Sequence, residues 1–251
     1  MTIEIMAGCE AYSADGGSLG VLVLHGFTGS PASVRSLAEA CATAGFGVEL
    51  PRLPGHGTSL EDLMTTSWSD WSRAAEAAYD DLASRCARVG VVGLSMGGSL
   101  SAHLGEVRPG IAGIVFINPL VKSPGQEMLD GLGQLLDAGL ETVDSIGSDI
   151  KMEGSVEASY SATPLVCAKS LFEAVALVNE NLAKISAPVL LLSSREDHVV
   201  PSDNGDDIVA RVSGPVERVW LEDSYHVATM DHDAQLVESL TISFLQNVLG
   251  S

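Results

Sequence analysis

The chain has 251 residues, 46% of them hydrophobic, enough apolar side chain for the core of one α/β domain. Its 33 acidic and 13 basic side chains give a formal net charge of -20. A surface so negative repels phosphate backbones and anionic headgroups, which excludes nucleic acid and anionic membrane surfaces as partners.

Short β-branched runs alternate with helical segments along the chain. GVLVLHG (20–26) reads as a buried strand, and 31–45 as a helix with Ser30 as N-cap, Pro31 in the first turn and Gly45 at the C-cap. FGVEL (46–50) is a second strand and PRLPGHGTS (51–59) a loop. Ser67 to Cys86 is a helix opened by a capping box of Ser67 and Asp70. RVGVVGLS (88–95) is a strand, 96–107 a helix and IAGIVFINP (111–119) a strand. The alternation lapses over 120–185, which holds no clear strand, and resumes with APVLLLSS (187–194). A helix around 203–212, the strand VERVWL (216–221) and a helix around 233–249 complete the chain. Strands separated by helices imply a parallel sheet covered on both faces, with its ligand crevice at the carboxyl ends of the strands.

Within the insertion, Met128, Leu129, Leu132, Leu135, Leu136, Leu140, Val143 and Ile146 recur at three- and four-residue steps, broken by Gly125, Gly131, Gly133 and Gly139. The stripe is helical, and each helix-interior glycine costs roughly 1 kcal/mol relative to alanine. A loosened apolar insertion above the crevice reads as a mobile lid, the alternative being a packed helical subdomain. Four cysteines (Cys9, Cys41, Cys86, Cys167) are far apart with no CxxC, as in reduced proteins. The N-terminus MTIEIMAGCE lacks the basic and apolar regions of a signal peptide, and no apolar run is long enough to span a bilayer. These features point to a soluble cytoplasmic protein without stable membrane insertion, and leave monomer and homodimer equally open.

VVGLSMGGS (91–99) supplies the first chemistry. Glycines two before and two after Ser95 permit a sharp strand-to-helix turn that lifts the serine Oγ above the sheet, next to a helix N-terminus. A serine nucleophile needs a base, and the base an orienting acid. LLLSSREDHVVP (190–201) places Asp197 past one strand end, and WLEDSYHVAT (220–229) places His226 past the next. Glu196 and His198 flank Asp197 as rivals, His103 lies within a helix where it suits packing, and His56 in PGHG is structural or lines the rim. The oxyanion of a tetrahedral intermediate finds its donors in the backbone N–H groups of Phe27, in HGFTG, and of Met96. The cluster DSYHVATMDHD (223–233) then separates into a catalytic His226 and a helix start, with Asp231 as N-cap and Asp233 complementing the helix dipole. No metal or other cofactor is expected.

HGFTGSP, LPRLPGHGTSLEDL, GLSMGGSL, INP, SIGSDIK, REDHVVP and DSYHVATMD together resemble the small bacterial carboxylesterase and monoacylglycerol lipase family of the α/β-hydrolase fold, over essentially the whole chain and least in 122–145. The resemblance implies one α/β-hydrolase domain, with a mostly parallel sheet of about six to seven strands flanked by helices. A small helical lid or cap, 120–185, is inserted after the strand at 111–117. It implies Ser95, Asp197 and His226 as catalytic residues, and hydrolysis of short- to medium-chain acyl esters and monoglycerides. It favours Glu157, over Ser155 and Ser159, as acceptor for glycerol hydroxyls, against a solvated surface glutamate. A thioesterase would use the same triad. A non-catalytic binding module would have no need of the triad and both oxyanion turns.

Overall fold

The apolar runs read as strands become the inner members of one sheet in the computed structural model, which describes residues 4–145 and 147–250. In chain order the elements are β1 (Tyr12–Ala14), β2 (Leu19–Leu24), α1 (Arg35–Thr43), β3 (Gly47–Leu50), α2 (Leu60–Met64), α3 (Trp68–Arg85), β4 (Arg88–Leu94), α4 (Met96–Val107), β5 (Gly113–Ile117), α5 (Gln126–Asp137), β6 (Thr142–Asp144), β7 (Ala162–Pro164), α6 (Leu165–Asn181), β8 (Val189–Ser194), α7 (Asp203–Arg211), β9 (Val216–Leu221) and α8 (Ala234–Gly250). Seven strands order as β1-β3-β2-β4-β5-β8-β9. All neighbours are parallel except β1, which runs antiparallel to β3 at the edge. β1 is three residues long and was not expected from sequence, because YSA is too short to display a period.

The period-2 alternation of the strands divides the core in two. Leu22, Leu24, Val91 and Phe116 face one layer with Trp71, Leu100 and Leu171. Val21, Val23, Val92 and Val115 face the other with Leu37, Cys41 and Val237. The helix starts follow the expected caps: Ser30 Oγ accepts from Ala32 N–H, and Asp70 reaches back to Ser67 N–H at 3.0 Å. All four cysteines are buried and unpaired with one another. No helix among the described residues is long and apolar enough to cross a membrane.

The insertion differs from the sequence expectation in two ways. It contains strands, since β6 and β7 form a small antiparallel ribbon of three residues each. Segments this short, with mostly half-buried or exposed residues, carry no alternation to read. Second, its parts pack unequally. α6 lies against α3 and α4 and buries Leu165, Cys167, Leu171, Val175 and Val178, so it is built into the helical layer. α5 buries only Leu132 and leaves Met128 and Leu135 exposed. Ile146, the last member of the apolar stripe, lies outside the described residues.

Candidate active site

Because β2, β4, β5, β8 and β9 run parallel, their carboxyl ends open along one edge of the sheet. The chain passes from β2 outward to β3 and then back to β4 on the other side of β2, so the crevice lies at this reversal. Ser95 stands there, between β4 and α4, with φ 56° and ψ -117°. A Cβ on Gly93 would lie 2.1 Å from Gly97 O, and one on Gly97 would lie 2.1 Å from Leu24 O, so the turn closes only with glycine at both positions. Thr28, Ser95 and Asn118 are the non-glycine residues with positive φ among those described, and they follow β2, β4 and β5. Backbone strain is thus gathered at the crevice, as at many functional sites.

Asp197 and His226 leave the ends of β8 and β9 and meet. His226 Nδ1 lies 2.8 Å from Asp197 Oδ2, with the two side chains 8% and 4% exposed. The other oxygen of Asp197 accepts from Val199 N–H at 2.9 Å and Val200 N–H at 2.8 Å. The rivals are placed elsewhere. Glu196 is exposed and pairs with Lys151. His198 points outward to Asp149, whose hydrogen bond and charge push its pKa up. His103 bonds Glu76 across α3 and α4 at 2.8 Å. His56 is fully buried beside His25, Phe27 and Trp71, so it is structural and not on the rim. Burial lowers its pKa to about 4, and burial with the charge of His56 lowers that of His25 to about 3. His25 therefore stays neutral, donating from Nδ1 to Gly26 O and accepting Leu53 N–H at Nε2, which ties the Gly26–Phe27 turn to the 51–59 loop.

A cavity of about 290 Å³ is lined by Phe27, Ser95, Glu157 and His226 of the expected residues. Gly26, Phe27, Ser95 and His226 line one side of it, Leu132, Leu171 and Phe172 are part of its apolar wall, and Asp149 and Glu157 are polar. Met96 opens α4 immediately after Ser95, and its side chain is buried. Glu157 is not a solvated surface carboxylate: it lines the cavity and accepts from Ser33 Oγ at 2.5 Å. Burial pushes its pKa up, against the opposing pull of the Ser33 hydroxyl and of nearby His226. Ser155 is turned away and donates to Met230 O. Ser159 sends its backbone N–H to Glu157 O.

Three contributors were missed from sequence. Asn118 accepts Ser194 N–H and donates to Ser194 Oγ, Tyr225 O and His226 O, joining the end of β8 to the His226 loop. Ser33 and Asp149 are the others; Asn118 lies inside INP and Asp149 inside SIGSDIK, whereas Ser33 offered no signal. Asp231 requires a correction. Its side chain does not cap α8; it is fully buried and accepts four backbone N–H groups, from Lys151, Met152, Tyr225 and His232, at 2.7 to 2.9 Å. Burial opposes its charge, but those four donors together hold the carboxyl below the usual range. Asp233 directly precedes α8, and its side chain accepts Asp223 N–H. Among the described residues no group of three or more His, Cys, Asp or Glu is gathered as a metal site would require.

A strained serine turn and a carboxylate–histidine pair on separate strand ends of a parallel sheet define the serine-hydrolase class of the α/β-hydrolase fold. Residues 19–233 match the family described as "Serine aminopeptidase, S33", and the chain belongs to that family. It is 42% identical to the thermostable monoacylglycerol lipase of Bacillus sp. (strain H-257), over 98% of each chain. It is 29% identical to a carboxylesterase of Bacillus subtilis (strain 168), over 95% of this chain and 97% of that one. A solved chain described under LipS and LipT, two metagenome-derived lipolytic enzymes, superposes with a TM-score of 0.92 at 40% identity, covering 97% of this chain and 100% of that chain.

Proposed function

We propose that this chain hydrolyses carboxylic esters through an acyl-serine intermediate, acting on short- to medium-chain acyl esters and monoglycerides. The observation that carries it is His226, held by Asp197 at 2.8 Å and lining one cavity with the strained Ser95. In the first half-reaction His226 takes the Ser95 proton as Oγ attacks the ester carbonyl, then gives that proton to the departing alcohol. Asp197 holds the imidazole with its Nε2 free to accept. Water then attacks the acyl-enzyme by the reverse route. The N–H groups of Phe27 and Met96 hold the oxyanion in both halves.

The apolar wall receives the acyl chain, with about 0.8 kcal/mol gained per buried CH₂. Glu157 accepts the glycerol hydroxyls at the polar side. The volume, about 290 Å³, lies at the low end of ligand pockets, which suits a single acyl chain and not a triglyceride. The insertion 120–185 acts as a cap, and its loosely packed part around α5 is the portion that moves. Four buried, unpaired cysteines favour a cytoplasmic enzyme.

A panel of mono-, di- and triglycerides beside nitrophenyl esters of rising chain length tests this. Monoglycerides and short to medium nitrophenyl esters are expected to turn over, and triglycerides not. Preference for acyl-coenzyme A thioesters, preference for aminoacyl anilides, or no turnover at all would overturn it.

A further inference from the structure

The SIGSDIK segment has no role in the chemistry above, yet its Asp149 lies between the loops that carry the acid and the base. One oxygen, Oδ2, accepts from His226 N–H and from the N–H of His198, the residue after Asp197, both at 3.1 Å. The other, Oδ1, lies 2.8 Å from His198 Nδ1, and the backbone carbonyl of Asp149 accepts Val227 N–H at 3.1 Å. The Asp149 side chain is only 10% exposed. Two and three residues on, Lys151 and Met152 are fixed by Asp231. A short stretch of the insertion is therefore bolted to the base loop at both ends.

We propose that Asp149 is a positioning residue for the acid–base pair: one oxygen bridges the main chains of the Asp197 and His226 loops and sets their separation. This rests on the reading of Asp197 and His226 as acid and base. The 2.8 Å bond between them needs both loops in register, and a misplacement of about 1 Å at a catalytic group costs on the order of 10²-fold in rate. Because Asp149 belongs to the insertion, the pair is aligned only while the 149–152 segment is seated. Motion of the cap is then confined to α5 and its neighbours.

The test compares Asp149→Ala with Asp149→Asn on a nitrophenyl butyrate, with kcat counted per site titrated by an organophosphate. Alanine removes the bridge and is expected to lower kcat per site about 10- to 100-fold with KM within about twofold. Asparagine keeps an oxygen for the two N–H groups, so it is expected to recover most of the rate without the charge. A role in stability alone would lower the titrated fraction and leave kcat per site intact, which overturns the proposal. An asparagine variant as slow as alanine also overturns it, since charge and not bridging would then matter. If Asp149→Ala does not fold, Asp149→Glu, which displaces the oxygens by one methylene, is expected to lose kcat per site, and full kcat would overturn the proposal. Absence of Ser95 labelling in the unsubstituted enzyme would instead strike the reading of the site itself.

Discussion

Replacing Asp197 with asparagine probes the site at its most constrained bond. One oxygen of Asp197 receives two backbone N–H groups, from Val199 and Val200, and the other faces His226 Nδ1. In Asp197→Asn the carbonyl oxygen of the amide is held by those two donors, so its NH₂ is directed at the imidazole. Nδ1 must then accept, the ring proton moves to Nε2, and in the proposed mechanism Nε2 can no longer take the Ser95 proton. Loss of the base through the wrong tautomer costs about 10⁴ in kcat, or about 5.4 kcal/mol at about 1.36 kcal/mol per tenfold. Because the amide keeps both backbone bonds, the thermal midpoint is expected to move little. The assay is steady-state hydrolysis of a nitrophenyl butyrate, with Glu196→Gln as the comparison. A kcat within tenfold of the unsubstituted enzyme, or an equal loss in Glu196→Gln, would refute the reasoning.

Glu157→Ala is expected to raise KM for monoglycerides well above any change for nitrophenyl esters, which offer no glycerol hydroxyls; equal effects in a side-by-side assay would remove Glu157 from alcohol recognition. Asp231→Asn trades an oxygen that accepts two N–H groups for an NH₂. Two charge-assisted bonds at about 1.5–3 kcal/mol each give an expected loss of about 3–6 kcal/mol by urea unfolding. Since the folded carboxyl of Asp231 lies below its unfolded value, its contribution is present above about pH 4 and fades as pH falls through the folded value, so the substitution should also flatten the acid limb. His25 and His56 set a second pH dependence: they stay neutral down to about 3 and about 4, while the unfolded chain takes up protons near 6.5. The unfolded state thus binds more protons below 6.5, and the urea midpoint should fall between about pH 7.5 and about pH 5; a midpoint that rises over this range would contradict their burial as neutral rings.

The parts of this molecule legible in its sequence are those governed by neighbours along the chain. VVGLSMGG shows its serine turn because the glycines that permit it lie within two residues, and Ser67 and Asp70 cap α3 from three residues apart. Continuous apolar runs reveal β2, β4, β5 and β8 because both faces of each are covered. What stays hidden depends on partners distant in sequence. Ser33 meets Glu157 across 124 residues, and Asp231 meets Lys151 across 80. Beside His232 and Asp233, Asp231 looks like the start of a helix, whereas its four donors make it the anchor of the insertion. Asp149 is hidden for the same reason: its partners lie 49 and 77 residues away, on two different loops.

The most direct measurement is intact and peptide mass analysis after treatment with a serine-directed organophosphate. If Ser95 is the nucleophile, one phosphonyl group is expected per chain, on Ser95, with esterase activity lost in proportion to labelling and Ser95→Ala neither labelled nor active. A label on another residue, or undiminished turnover in Ser95→Ala, would contradict it.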